Sequence, residues 1–285
     1  MHFDSSAAEP LSGAGAWCAE LELGFARRDD RTVLVRNRHV GPLRVQKPLY
    51  PEGDRICHAI VLHPPAGLVG GDVLALRVRL DAGAHALLTT PGAGKWYRSD
   101  GRLASVAQRI EVAAGAMCEW LPQESIVFDG ARGHLGTEVV LERGAGFIGT
   151  EMQCFGRTGS GERFAHGALA MTTRVRLAGA PVWLERARVD GGGALLGSPA
   201  GLGGQPVAGC MLVIGPGVDA ALRDACRAVP APAGAGAVTL LPEVLVARWV
   251  GPAVEPGRTW FERLWACVRP VVAGAPMRVP RIWRT

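Results

Sequence analysis

In the stretch "VLALRVRL", Leu74, Leu76, Val78 and Leu80 alternate with Ala75, Arg77 and Arg79. A period of two is what a strand shows when one face meets the core and the other meets water. Three strings share a common form, "RVRLDAGAHALL", "RIEVAAGAMCEW" and "EVVLERGAGFIG": a strand, a short turn ending in Gly-Ala, and a second strand. Their Gly-Ala pairs begin at Gly83, Gly115 and Gly144, and "TRVRLAGAPVWLER" adds a shorter-turn version at Gly179, giving steps of 32, 29 and 35 residues. Repetition near this spacing predicts stacked β-hairpin units that bury one continuous core.

Helical periodicity is almost absent before residue 215. Between Pro216 and Pro230, Leu222, Ala225, Cys226 and Val229 fall at helical spacing with Asp219 placed to cap the N-terminus. Between Pro256 and Pro270, Trp260, Phe261, Leu264, Trp265 and Val268 form one broad apolar stripe. The pattern is therefore all-β with two C-terminal helices. The glycine-rich run "DGGGALLGSPAGLGGQPVAG" (190–209) predicts a long mobile loop. No composition shift marks a boundary, so residues 1–285 are expected to form one domain.

Composition narrows the class. With 48% hydrophobic and 20% charged residues, the chain has the make-up of a soluble globular protein. Of its 31 basic residues only Lys47 and Lys95 are lysines, and the net charge of +5 is dispersed without a like-charge block, which argues against a nucleic-acid footprint. Seven cysteines, at 18, 57, 118, 154, 210, 226 and 267, contain no C-x-x-C pair, so a zinc-finger or iron–sulfur arrangement fails on spacing. The start "MHFDSSAAEP" lacks the basic and apolar segments of a leader and no run of 18 apolar residues occurs, pointing to the cytoplasm.

The most unusual short stretch is "HPPAGLVGGD", His63 to Asp72. Cys57, His58 and His63 resemble a metal ligand set, but on one strand Cys57 and His63 face opposite to His58. Its prolines and glycines favour a turn. "PGAGKWYRS" is not a Walker A loop, because Trp96 follows Lys95 where Ser or Thr is required. Ser160 in "RTGSGERF" is not a nucleophile elbow, and His134 and His166 have no defined partner. Four carboxylates stand among apolar neighbours: Asp72, Glu119, Glu151 and Glu185. Burying one is costly unless it is paired or hydrated, so each either meets an arginine or lines a wet passage suited to a cation.

Six ordered segments resemble the urease accessory protein UreD (UreH) family: "HVGPLRVQKPLYPEG" (39–53), "CHAIVLHPPAGLVGGD" (57–72), "LLTTPGAGKWYRS" (87–99), "EWLPQESIVFDGA" (119–131), "FGRTGSGERFAHG" (155–167) and "LWACVRPVVAGAPMRVPRIWRT" (264–285). Two departures are Ala66, where the family's turn carries glycine, and Gly94, where Thr or Ser commonly precedes the lysine. The resemblance implies strands wound into a helical, barrel-like array with two helices. It also implies a scaffold without catalysis or resident cofactor, working in the cytoplasm with UreF and the GTPase UreG on apo-urease. Nickel would be transient cargo, moving through an internal channel to which Asp72, Glu151 and Glu185 contribute acidic positions. Two other readings remain at this point: a β-solenoid enzyme acting on polysaccharide, which the 6% aromatic content and the missing leader disfavour, and a β-rich interaction module with no metal role.

Overall fold

The structure is a computed structural model that describes residues 16–284. The stretch "MHFDSSAAEP" lies outside the described residues. Along the chain run β1 (Cys18–Arg28), β2 (Arg31–Val40), β3 (Arg44–Leu49), β4 (Ile56–Leu62), β5 (Val73–Leu80), β6 (His85–Thr89), β7 (Gly94–Trp96), β8 (Ala104–Val112) and β9 (Met117–Trp120). They continue as β10 (Ser125–Val127), β11 (Arg132–Leu141), β12 (Gly146–Phe155), β13 (Ala168–Leu177), β14 (Ala180–Asp190), α1 (Ala194–Gly197), β15 (Val207–Ile214), α2 (Ala220–Arg227), β16 (Ala235–Leu241), β17 (Val244–Gly251) and α3 (Val254–Val272).

Two sheets face one another. One has seven strands in the order β14-β13-β11-β8-β5-β1-β2, and the other has ten, running β16-β17-β15-β12-β9-β6-β4-β3 with β10 and β7 attached beside β12. The middle of each is parallel: β1, β5, β8, β11 and β13 in the first, and β4, β6, β9 and β12 in the second.

The stacked all-β array expected from the repeats is present, and its closing turns show how it is built. At Asp81–Ala84, Ala113–Ala116 and Glu142–Ala145 the amide of the last residue donates to the carbonyl of the first at 3.0 to 3.1 Å, with Gly83, Gly115 and Gly144 at φ of 70 to 82°. These turns do not fold a strand back onto itself. They carry the chain from the first sheet to the second, so each unit is an arch, and the partners of its strands are the equivalent strands one repeat away. The fourth Gly-Ala pair differs: Ala178 and Gly179 both have positive φ (49° and 82°), and Leu177 pairs with Ala180 in a true antiparallel hairpin. A two-residue turn with both φ positive matches the twist of adjacent antiparallel strands, which ends the parallel stack there.

Three layers result. The inner faces bury Leu21, Leu76, Val78, Ile110, Val139, Phe147 and Leu212 between the sheets. The other face of the ten-stranded sheet packs Leu87, Ile148, Met211 and Trp249 against the helices. The predicted stripe on α3 is buried at every position, from Trp260 to Val268. On α2, Leu222 and Cys226 are buried, Val229 just beyond its end is half-buried and Ala225 is exposed, while Asp219 accepts the Leu222 amide at 2.8 Å as an N-cap. The 190–209 run is not an open loop: α1 forms within it, and Leu202 and Gly204 donate back to the carbonyls of Leu195 and Leu196, both at 2.8 Å. Its glycines supply the φ values that let so short a segment fold back on itself. Among the described residues, no helix is long and apolar enough to cross a membrane.

Candidate functional site

The strand registers place four polar side chains in one inward row of the seven-stranded sheet: Gln108 on β8, Thr137 on β11, Thr173 on β13 and Glu185 on β14. The same row continues apolar as Leu76 and Leu21. Opposite, Glu151 on β12, Cys210 on β15 and Arg248 on β17 form a row of the ten-stranded sheet. Polar groups facing each other across a core leave room for water rather than close packing, and a cavity of about 460 Å³ lies between them.

Its lining extends from His63, just after β4, to Cys210 on β15. That path crosses four strand spacings, roughly 19 Å at ~4.8 Å each. A gap in the ten-stranded sheet adds a second approach. β12 pairs with β9 over Gly146–Gly149 and with β10 over Gln153–Phe155, so Thr150–Met152 face the segment Leu121–Glu124 without a ladder. On the helix side of this gap, a cavity of about 40 Å³ shares Pro122, Gln123, Thr150 and Met152 with the larger one.

Glu151 and Glu185 come together at the far end. Thr173 Oγ1 donates to Glu151 Oε2 at 3.3 Å, and Arg248 Nη2 donates to Glu185 Oε1 at 2.8 Å. Burial pushes Glu151 up to about 7, the Glu185 charge adding to the effect while the Thr173 hydrogen bond opposes it. Among the described residues no cation pairs with Glu151 in the way that Arg248 pairs with Glu185. Burial also pushes the Cys210 thiol up, so it stays protonated and is a poor metal ligand.

Asp72 is elsewhere. It is 1% exposed and outside the cavity lining; Oδ1 accepts the Trp17 amide at 2.8 Å and Oδ2 the Val69 amide at 2.9 Å. Its carboxylate fastens the "HPPAGLVGGD" turn to the start of β1. In that turn Ala66 stands at φ 64°, the left-handed conformation that glycine adopts without penalty.

Glu119, the fourth carboxylate, belongs to a different construction. Fully buried, it accepts from Arg269 Nε at 3.0 and 3.1 Å, from Trp265 Nε1 at 2.7 Å and bonds His85 Nε2 at 2.8 Å. Arg269 reaches on to Glu52 at 2.6 and 2.8 Å, and Glu52 bonds His58 Nε2 at 2.7 Å. Burial works to raise both carboxyls; hydrogen bonds from His58 and Arg269 nevertheless hold Glu52 down at about 2, and His85 and Arg269 hold Glu119 low. This network ties α3 to β4, β6 and β9, and the guanidinium is the cation both carboxylates meet.

His63 is the cavity residue whose role the motif reading missed. His58 turns to the helix side and His63 to the cavity, where its buried Nε2 has no protein hydrogen-bond partner. Burial lowers its pKa against the nearby Asp72 charge, which keeps the imidazole neutral and able to ligate. The signal in the sequence was its placement opposite His58 on one strand. Among the described residues no three His, Cys, Asp or Glu side chains converge as a metal cage.

The UreD urease accessory protein family model matches residues 18–284. The chain is 64% identical to the urease accessory protein UreD of Azoarcus sp. (strain BH72) over 269 residues, covering 94% of each. It is 49% identical over 274 residues to that of Dechloromonas aromatica (strain RCB), covering 95% of each, and 47% identical over 270 residues to that of Methylobacillus flagellatus, covering 94% of this chain and 95% of the relative. A match of this extent makes the chain a member of the UreD urease accessory protein family.

Proposed function

We propose that this protein is a non-catalytic scaffold of urease maturation, working in the cytoplasm with UreF and the GTPase UreG on apo-urease, and that nickel crosses it through the cavity between the sheets. Glu151 carries the reading: a half-buried carboxylate on the inter-sheet side, without a cationic partner among the described residues, beside a second carboxylate and facing a largely apolar cavity. Burial makes its charge costly, so Glu151 holds its proton up to about pH 7, and a passing divalent ion would take the proton's place. Weak ligation suits the task, because the ion must leave as readily as it arrives. Glu151, Glu185 and neutral His63 offer carboxylate and imidazole without a thiolate cage. Asp72 serves the path by holding the turn that carries His63.

The test is the nickel content of co-expressed urease beside the yield of the accessory complex. E151Q and E185Q keep side-chain volume and remove charge, so nickel should fall at normal yield. D72N should lower yield first, since its carboxylate holds two backbone amides. Full nickel at normal yield in both E151Q and E185Q would refute the path.

A further inference from the structure

Arg248 is outside the cavity lining but pairs with Glu185, which lies in it, and its surroundings define what it does. Glu185 lies on β14, the edge strand of the seven-stranded sheet, and Arg248 lies on β17, one strand in from the edge of the other. Their ion pair at 2.8 Å therefore bridges the two sheets where the slot between them meets solvent. The guanidinium also sits over the Trp183 ring at 5.5 Å to the centroid. Unlike Arg269, which is fully buried, the Arg248 side chain is 55% exposed, so it can swing into water without breaking a buried network.

We infer that Arg248 is a gate on the cation path: its guanidinium occupies Glu185 and repels an incoming divalent ion, and admission at this end requires it to be drawn aside. The inference rests on the proposed passage of nickel and assigns it a residue that sets when the ion can enter. An arginine is charged at every working pH, so the gate moves by displacement and not by titration. The pair is a single contact at a half-exposed position, where such pairs are weak enough to open. Its effect on a cation is larger, because the ion carries two charges and meets the guanidinium's repulsion at the same carboxylate.

The experiment measures binding of nickel chloride alone to the purified full chain, by equilibrium dialysis in a non-chelating buffer. R248Q removes the charge and should bind nickel about tenfold more tightly than the unmodified chain, equivalent to about 1.4 kcal/mol. R248K keeps the charge and should stay near the unmodified value. Adding E185Q to R248Q should return binding to that value or below. A folded R248Q with unchanged affinity overturns the gate, as does R248K binding as tightly as R248Q, or tight binding that survives E185Q. Loss of the fold in R248Q would make Arg248 a structural residue and refute the gate equally. The passage itself is judged separately on urease nickel: if E151Q and E185Q lower it while R248Q binds no better, the path stands and the gate falls.

Discussion

Replacing Arg269 by methionine tests the claim that a buried ionic network, and not α3's apolar stripe alone, holds the C-terminal layer in place. Arg269 is fully buried, and all five of its N–H groups have acceptors, on both oxygens of Glu119, both oxygens of Glu52 and the Pro276 carbonyl. Methionine fills much of the volume but leaves two buried carboxylates facing each other. Removing one partner of a buried pair costs about 3–5 kcal/mol. His58, His85 and the Trp265 indole remain to bond the carboxylates, which places R269M near the lower end of that range. For a chain of this size about 3 kcal/mol corresponds to a fall in Tm of about 10 °C, a substantial part of a typical folding free energy of about 5–15 kcal/mol. Urea and thermal melts followed by circular dichroism give the value directly. The double variant R269M/E119Q removes one stranded charge and should recover at least about 1 kcal/mol relative to R269M, and E119Q alone completes the double-mutant cycle that gives the coupling. An R269M chain within about 1 kcal/mol of the unmodified one, or a double variant no better than the single, would show that the network contributes nothing net.

Glu151 should make stability fall as pH rises. Its carboxyl binds a proton more tightly folded than unfolded, so the contribution is complete below 4.5 and is lost as pH passes about 7. The loss is at most about 3 kcal/mol, and across that window urea midpoints of the unmodified chain should fall relative to those of E151Q. A66G should stabilise by up to about 1 kcal/mol in the same melts, because Ala66 already holds a left-handed φ of 64°. G167A should lower the midpoint by more than about 2 kcal/mol: φ is +92° there, and a Cβ would lie 2.1 Å from the Ala131 carbonyl oxygen. Truncation after Arg258 removes Trp260, Phe261, Leu264 and Trp265 from the helix-side core, and soluble recovery on expression should be lost.

Local pattern revealed the strands but not what closes them. Leu74, Leu76, Val78 and Leu80 are buried as their alternation requires, and the glycines at 83, 115 and 144 take the left-handed φ their turns need. An arch and a hairpin, however, share the form strand, turn, strand. What separates them is whether a strand's hydrogen-bond partner is its neighbour in sequence or the equivalent strand one repeat away, and hydrophobic spacing carries no record of that. The helices were legible for the opposite reason: an apolar stripe on α3 is a local statement, true whichever sheet it covers. His63 was partly legible, since alternation along β4 already sent it away from His58, but the cavity it faces is assembled by later repeats.

The carboxylates show why candidate chemistry is harder to see than fold. Glu119 in "MCEW" and Glu151 in "TEMQ" look alike in sequence, each on a central strand and followed by an apolar residue. Their strands are adjacent in one sheet, yet Glu119 points to the helix side and Glu151 to the inter-sheet side. The side each faces then decides its charge state and its use. On the helix side Arg269, 150 residues away in sequence, supplies a full complement of donors, so Glu119 is ionised, saturated and structural. On the inter-sheet side Arg248 is committed to Glu185, and Glu151 has the Thr173 hydroxyl, the Gln153 side chain and the cavity. A saturated carboxylate has no lone pair to offer a passing ion, whereas an unsaturated one gains from meeting it. On the proposed cation path, whether a glutamate is free to meet the ion therefore depends on whether an arginine reaches it, and that is fixed by the stacking of the sheets and not by the residues beside the glutamate.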